Sequence, residues 1–133
     1  MKKVIALFLV VAACSTLAAC SLLSPTPESI AEEYASLDGY SAILLVNSDD
    51  VESWGVEIYN ASPRHISYVL IAYEENGDHG VYLFCKDKKA ADRVEEDLED
   101  SFYQIERDFD DAIIERDGSV IFFGEEDTWQ EIH

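Results

Sequence analysis

Apolar residues recur along this chain at two spacings, and each change of spacing marks a change of element. Ile30, Tyr34 and Leu37 stand at i, i+4 and i+7. Pro27 suits a first helical turn and Glu28 suits the positive end of a helix dipole, so the pattern predicts a helix over 27–37, with Gly39 as its stop. Residues 40–46 form a nearly continuous apolar run, the signature of a buried strand. The next segment carries both signals. Asp49 and Glu52 have capping-box spacing and Val51, Trp54 and Ile58 share a helical face, whereas Trp54, Val56 and Ile58 alternate and Gly55 weakens a helix. Helix is the slightly favoured reading.

Two hairpins are the best-specified structure. Runs 66–75 and 78–86 flank Asn76-Gly77, a dipeptide that supplies the two positive φ angles of a type I′ turn. A two-residue turn there places Leu70 opposite Leu83, Ala72 opposite Val81 and Tyr68 opposite Cys85. The other face then collects Val69, Ile71, Tyr73, Tyr82 and Phe84. Both faces are apolar, and a slip of one residue would exchange them. Runs 112–116 and 119–123 flank Asp117-Gly118, a second turn of the same kind, which pairs Ile114 with Ile121 and Ile113 with Phe122.

Between the hairpins, Asp87 caps a long helix predicted over 88–109. Ala91, Val94, Leu98, Phe102, Ile105 and Phe109 form its apolar stripe, and the opposite side is dense with Asp92, Glu95, Glu96, Asp97, Glu99 and Asp100. Residues 126–132 read as a short closing helix that docks Trp129 and Ile132. Two main helices and a set of antiparallel strands make an α+β domain. With 49–58 helical, the order after Gly39 resembles the ferredoxin-like split βαβ arrangement with an added C-terminal hairpin strand. That arrangement hosts many unrelated activities and selects none.

The N-terminus has another logic. Lys2 and Lys3, the apolar run from Val4, and Leu17-Ala18-Ala19 before Cys20 are the three parts of a secretory signal. Residues 4–19, interrupted by Ser15 and Thr16, fall short of the roughly 20 apolar residues that span a bilayer. Leu17-Ala18-Ala19-Cys20 resembles the lipobox of bacterial membrane lipoproteins. The resemblance implies cleavage of residues 1–19, lipid (palmitate among its acyl chains) on Cys20, and anchoring on the extracytoplasmic face of a cell membrane or outer membrane. Val11-Ala12-Ala13-Cys14 is a second, partial match that would leave a very short apolar region, so Cys20 is preferred. Residues 20–26 then form a tether and 27–133 a single acidic domain, held close to its membrane.

Charge narrows the partners. The chain has 9 Lys and Arg against 28 Asp and Glu; loss of Lys2 and Lys3 with the signal leaves 7 against 28, a net charge of −21. Nucleic acid and anionic headgroups are disfavoured, because both require clustered Lys and Arg. Cationic proteins, peptides and divalent ions are favoured, although such charge also simply keeps a surface protein soluble. Enough patterned Ile, Val, Leu, Phe and Tyr remain to form a packed core.

Candidate chemistry is sparse. Of three cysteines, only Cys85 remains in the mature domain as a thiol, inside an apolar run, which reads as a small buried hydrophobe. His65, His79 and His133 lack metal-ligand spacing, and Asn60-Ala61-Ser62 is followed by Pro63, so it reads as an ordinary loop. Nothing places a nucleophile, base and orienting group together, so a non-catalytic role is expected. Asp108, Asp110 and Asp111 are candidates for weak Ca²⁺ binding, although the twelfth position from Asp108 is Ser119 rather than the Glu of an EF-hand. Should both main helices lie on one side of the sheet, Tyr73, Tyr82 and Phe84 would form an exposed aromatic patch, the candidate contact for a protein partner. The alternative is that a terminal segment wraps round and covers them. The expectation is therefore a lipid-anchored surface interaction module, with a cation-handling or envelope-sensing domain as the alternative.

Overall fold

A computed structural model of the chain describes residues 25–46, 55–75 and 77–133. The signal, Cys20 and residues 49–54 of the helix expected over 49–58 lie outside them. Residues 56–58 are not helical. Thr26 opens the first element. Its hydroxyl accepts the Ser29 N–H at 3.1 Å while the Ser29 hydroxyl accepts the Thr26 N–H at 3.1 Å, a reciprocal cap for helix α1, Pro27–Ala35. The next strands in the chain are β1, Tyr40–Leu45; β2, Ile66–Glu74; and β3, His79–Cys85. Helices α2, Lys88–Asp100, and α3, Phe102–Asp108, precede β4, Ala112–Asp117, β5, Val120–Glu125, and α4, Glu126–Gln130.

The strands form one antiparallel sheet in the order β1-β2-β3-β5-β4, so the domain is α+β. The split βαβ arrangement is not the one formed. It needs a parallel pair flanked by crossovers, and here β1 pairs directly and antiparallel with β2.

Helices cover both faces of the sheet. On one, Val69, Val81, Leu83, Ile121 and Phe123 pack against Ala91, Val94 and Leu98 of α2, Ile105 of α3, and Tyr59 and Ala61 from the segment before β2. On the other, Leu70, Ala72, Tyr82, Phe84, Val120 and Phe122 pack against Ile30 and Tyr34 of α1, with Trp129 and Ile132 at its margin. Tyr34, Leu70, Tyr82, Leu83, Phe122 and Phe123 have no exposed surface, so the sheet is a middle layer.

The β2–β3 register corrects the expected one. Leu70 faces Tyr82 and Val69 faces Leu83, one residue away from the pairing that a two-residue Asn76-Gly77 turn would impose. Three positions separate Glu74 from Asp78. The Gly77 N–H donates to the Glu74 carbonyl at 3.0 Å, the Glu74 N–H donates to the Asp78 carbonyl at 2.7 Å, and Gly77 takes φ +113°. Glycine thus ends a longer turn as a bulge instead of forming half of a tight one. The slip sorts the side chains by size. Val69, Ile71, Val81 and Leu83 go under α2, while Tyr82 and Phe84 share the α1 face with Ala72, which pairs with Gly80.

The second hairpin also differs, with Ile114 opposite Phe123 and Ile113 opposite Gly124. Its loop is Gly118-Ser119, with φ +64° at Gly118, the Gly-first form of a two-residue turn. This shift is two residues, so every side chain keeps its face.

The single helix expected over 88–109 is two helices, broken at Ser101 (φ −105°, ψ 14°). Ser101 is buried, and its hydroxyl accepts a hydrogen bond from the Asn60 side-chain amide at 3.1 Å. The break turns α3 relative to α2. Ile105 and Phe109 still reach the core, whereas Phe102 is left half-buried.

Candidate functional site

The expected aromatic patch does not exist as a surface. Tyr82 is fully buried and Phe84 nearly so, and both lie under α1 and α4. Tyr73, opposite His79, is half-buried and belongs to the other face. The one-residue register shift separates it from its two supposed partners. Instead, Tyr82 donates to the Tyr34 hydroxyl at 2.7 Å and Tyr34 donates to the Thr128 carbonyl at 2.6 Å, a buried chain joining α1, β3 and α4. Burial raises both phenol pKa values far above their ordinary range, so both hydroxyls remain protonated donors.

The three aspartates are also dispersed in role. Asp108 accepts the Tyr59 hydroxyl at 2.6 Å, which secures the segment before β2 to α3. Asp110 and Asp111 are exposed, and Asp111 takes φ +50°. Among the described residues, no three or more His, Cys, Asp or Glu side chains are placed to hold a metal ion, and no helix is long and apolar enough to cross a membrane. Cys85 is buried, and burial pushes its thiol up to about 11, which keeps it in the unreactive protonated form.

Two arrangements were not legible in the sequence. The first is at the end of the sheet, where the buried Glu125 carboxylate accepts the His79 backbone N–H at 3.0 Å and stands 3.1 Å from His79 Nδ1. That nitrogen is also 2.9 Å from the Gly77 carbonyl, so it faces two acceptors and carries the ring proton. Burial raises the Glu125 pKa, and a hydrogen bond to the neighbouring Asp78 carboxyl raises it further.

The second arrangement is a cleft of about 450 Å³ along β4, lined by Glu99, Phe102, Ala112, Ile113, Ile114 and Glu115. Its floor is the Phe102 ring, half-buried at the margin of the core. Its rim is acidic, because Glu99 of α2 and Glu115 of β4 are both exposed. Arg116 holds the two walls together: its guanidinium donates to Asp92 at 2.7 Å, to Glu95 at 3.0 Å and to the Gly118 carbonyl at 2.8 Å. Charge-assisted bonds of this kind tie α2 to β4 beside the cleft.

Comparison with known proteins leaves the site to speak for itself. No protein-family model, curated protein or solved structure matches this chain. The physical features of the cleft, an apolar floor and an acidic rim beside the last strand of a sheet, therefore carry the functional reading.

Proposed function

We propose that the protein is a lipid-anchored extracytoplasmic binding module that acts without catalysis and meets its partner along β4. The cleft beside this edge strand carries the reading. It combines half-buried apolar side chains at Phe102 and Ile114 with two exposed carboxylates, the mixture of anchor and rim from which protein contacts are made. The address rests on Leu17-Ala18-Ala19-Cys20. Because α1 is already capped at Thr26, only a few residues separate Cys20 from the folded domain. At roughly 3.3 Å per residue, such a tether holds the domain within ~20 Å of the bilayer.

Two experiments in cells test the two halves. Palmitate should label the wild-type chain and not Cys20→Ser, which should leave the membrane fraction; equal labelling would overturn the anchor. A photo-reactive residue at position 99 or 115 should cross-link to an envelope protein, and one at position 28, an exposed position of α1, should not. Indistinguishable adducts from the three positions, or none from the cleft, would overturn the module.

A further inference from the structure

β4 is paired on one side only. Among the described residues no strand pairs with its other side, and it is there that the cleft opens. The two-residue loop makes Asp117 and Val120 the first bonded pair, and bonded and non-bonded pairs alternate along an antiparallel ladder. Ile113 and Glu115 therefore spend their N–H and C=O groups on β5, while Ala112, Ile114 and Arg116 aim theirs at the open edge. None of the described residues hydrogen-bonds to the Ile114 backbone there.

Resting on the binding-module reading above, we propose that β4 accepts an extended, basic segment of a partner protein as a sixth strand of the sheet. Main-chain bonds to Ala112, Ile114 and Arg116 would supply the attachment, as in other cases of strand addition. Side chains of the added strand alternate between the two faces of the sheet. Those on the α2 and α3 side meet Phe102, Ile114 and Glu99; those on the opposite side meet Ile113 and Glu115. The segment that fits has aliphatic residues at its centre and Lys or Arg beside them, so that a cation can reach a carboxylate on each face.

Charge selects this occupant over a second copy of the chain. Pairing β4 with another β4 would bring together two edges that each expose Glu115 and Asp117, and like charges on adjacent strands are destabilising. Each mature copy also carries a net charge of −21, left when 9 basic residues lose Lys2 and Lys3 against 28 acidic ones.

The test uses the full-length chain in detergent and two capped peptides. One is Lys-Lys-Val-Val-Val-Lys-Lys; the other is the same peptide with all three valine nitrogens methylated, which keeps the charge and removes the central donors. The plain peptide should bind about tenfold more tightly or better, the loss expected for two or so hydrogen bonds, and should slow hydrogen exchange at the Ile114 amide. Equal affinities, or an Ile114 amide unaffected by saturating peptide, would overturn strand addition. So would concentration-dependent dimerisation that protects the same amide. Glu99→Lys combined with Glu115→Lys, both at exposed positions, should reverse the preference toward Glu-Glu-Val-Val-Val-Glu-Glu; retained preference for the lysine peptide would also overturn it. Cross-links from positions 99 and 115 that persist when the peptides fail would leave the binding module standing and remove only its mode of attachment.

Discussion

Gly80 and Gly124 face each other across β3 and β5, and their substitution offers a direct measure of that strand pairing. A Cβ built on Gly124 would stand 2.5 Å from the Gly80 Cα and 2.8 Å from the His79 carbonyl oxygen, and Gly124 sits at φ +144°. The obstructing atoms are backbone, so the strands themselves must separate. Overpacking costs about 1–3 kcal/mol and the unfavourable φ about 1–3 more, which puts Gly124→Ala near 3 kcal/mol or beyond. At roughly 4 °C per kcal/mol for a domain of this size, the melting temperature should fall by on the order of 12 °C. Gly80→Ala meets something softer. Its Cβ would lie 2.3 and 2.4 Å from Cε2 and Cζ of Phe122, a fully buried ring held between Tyr82 and Trp129 at centroid distances of 4.9 and 5.3 Å. Its cost should be about 1–3 kcal/mol, and Phe122→Leu, which removes the ring edge, should recover about 1 kcal/mol of it. Urea unfolding of wild type, Gly80→Ala, Phe122→Leu and their double variant, followed by tryptophan fluorescence, gives the coupling energy, and Gly124→Ala is measured beside them. Strictly additive Gly80 and Phe122 effects, or a Gly124→Ala protein within about 0.5 kcal/mol of wild type, would refute the β3–β5 register.

Glu125 has a raised pKa, so the folded protein keeps its proton to a higher pH than the unfolded chain does. Its contribution to stability is intact below the ordinary carboxylate range and is lost as pH rises through the folded value; Glu125→Gln should therefore raise the melting temperature near pH ~7 and change it little near pH ~4, and the reverse order would refute the assignment. In a Cys14→Ser, Cys20→Ser chain, the Cys85 thiol should resist a thiol-selective disulfide reagent until the protein unfolds, because burial holds it protonated; rapid labelling of the native state would contradict this. Calcium at about 5 mM should shift the melting temperature no more than magnesium at equal ionic strength, since Asp108 is engaged by Tyr59; a calcium-specific rise abolished by Asp110→Asn would establish a cation site there.

The elements themselves were legible because hydrophobic periodicity is local, and strand pairing was less so. In the β4–β5 hairpin an error of two residues was harmless, since Ile113 and Ile114 keep their faces. In the β2–β3 hairpin an error of one residue moved Tyr73 to the opposite face from Tyr82 and Phe84, and the supposed patch disappeared. The Asn76-Gly77 dipeptide suits both a two-residue turn and a longer loop ending on glycine, and the choice depends on how the faces pack. The break at Ser101 was hidden by a stripe that continues at helical spacing through Phe102. At the break the Ser101 hydroxyl meets Asn60, forty-one residues away and in a left-handed conformation at φ +71°, a contact that no local pattern encodes. The cleft needed knowledge of strand order, because only that order makes β4 an edge and leaves Phe102 beside it.

The position of β5 has a consequence for how the molecule comes into being. It is the last strand in the chain, it is buried along its whole length, and it lies between β3 and β4. A chain delivered amino-terminus first has β1, β2 and β3 available as a meander, but β3 has no neighbour on its far side until residues 120–125 arrive. Until then its apolar side chains lack cover on one flank and its backbone groups lack partners, so cooperative folding waits for the carboxy-terminal end. The sheet is thus completed from its carboxy-terminal end, when the strand that was made last becomes the strand inside.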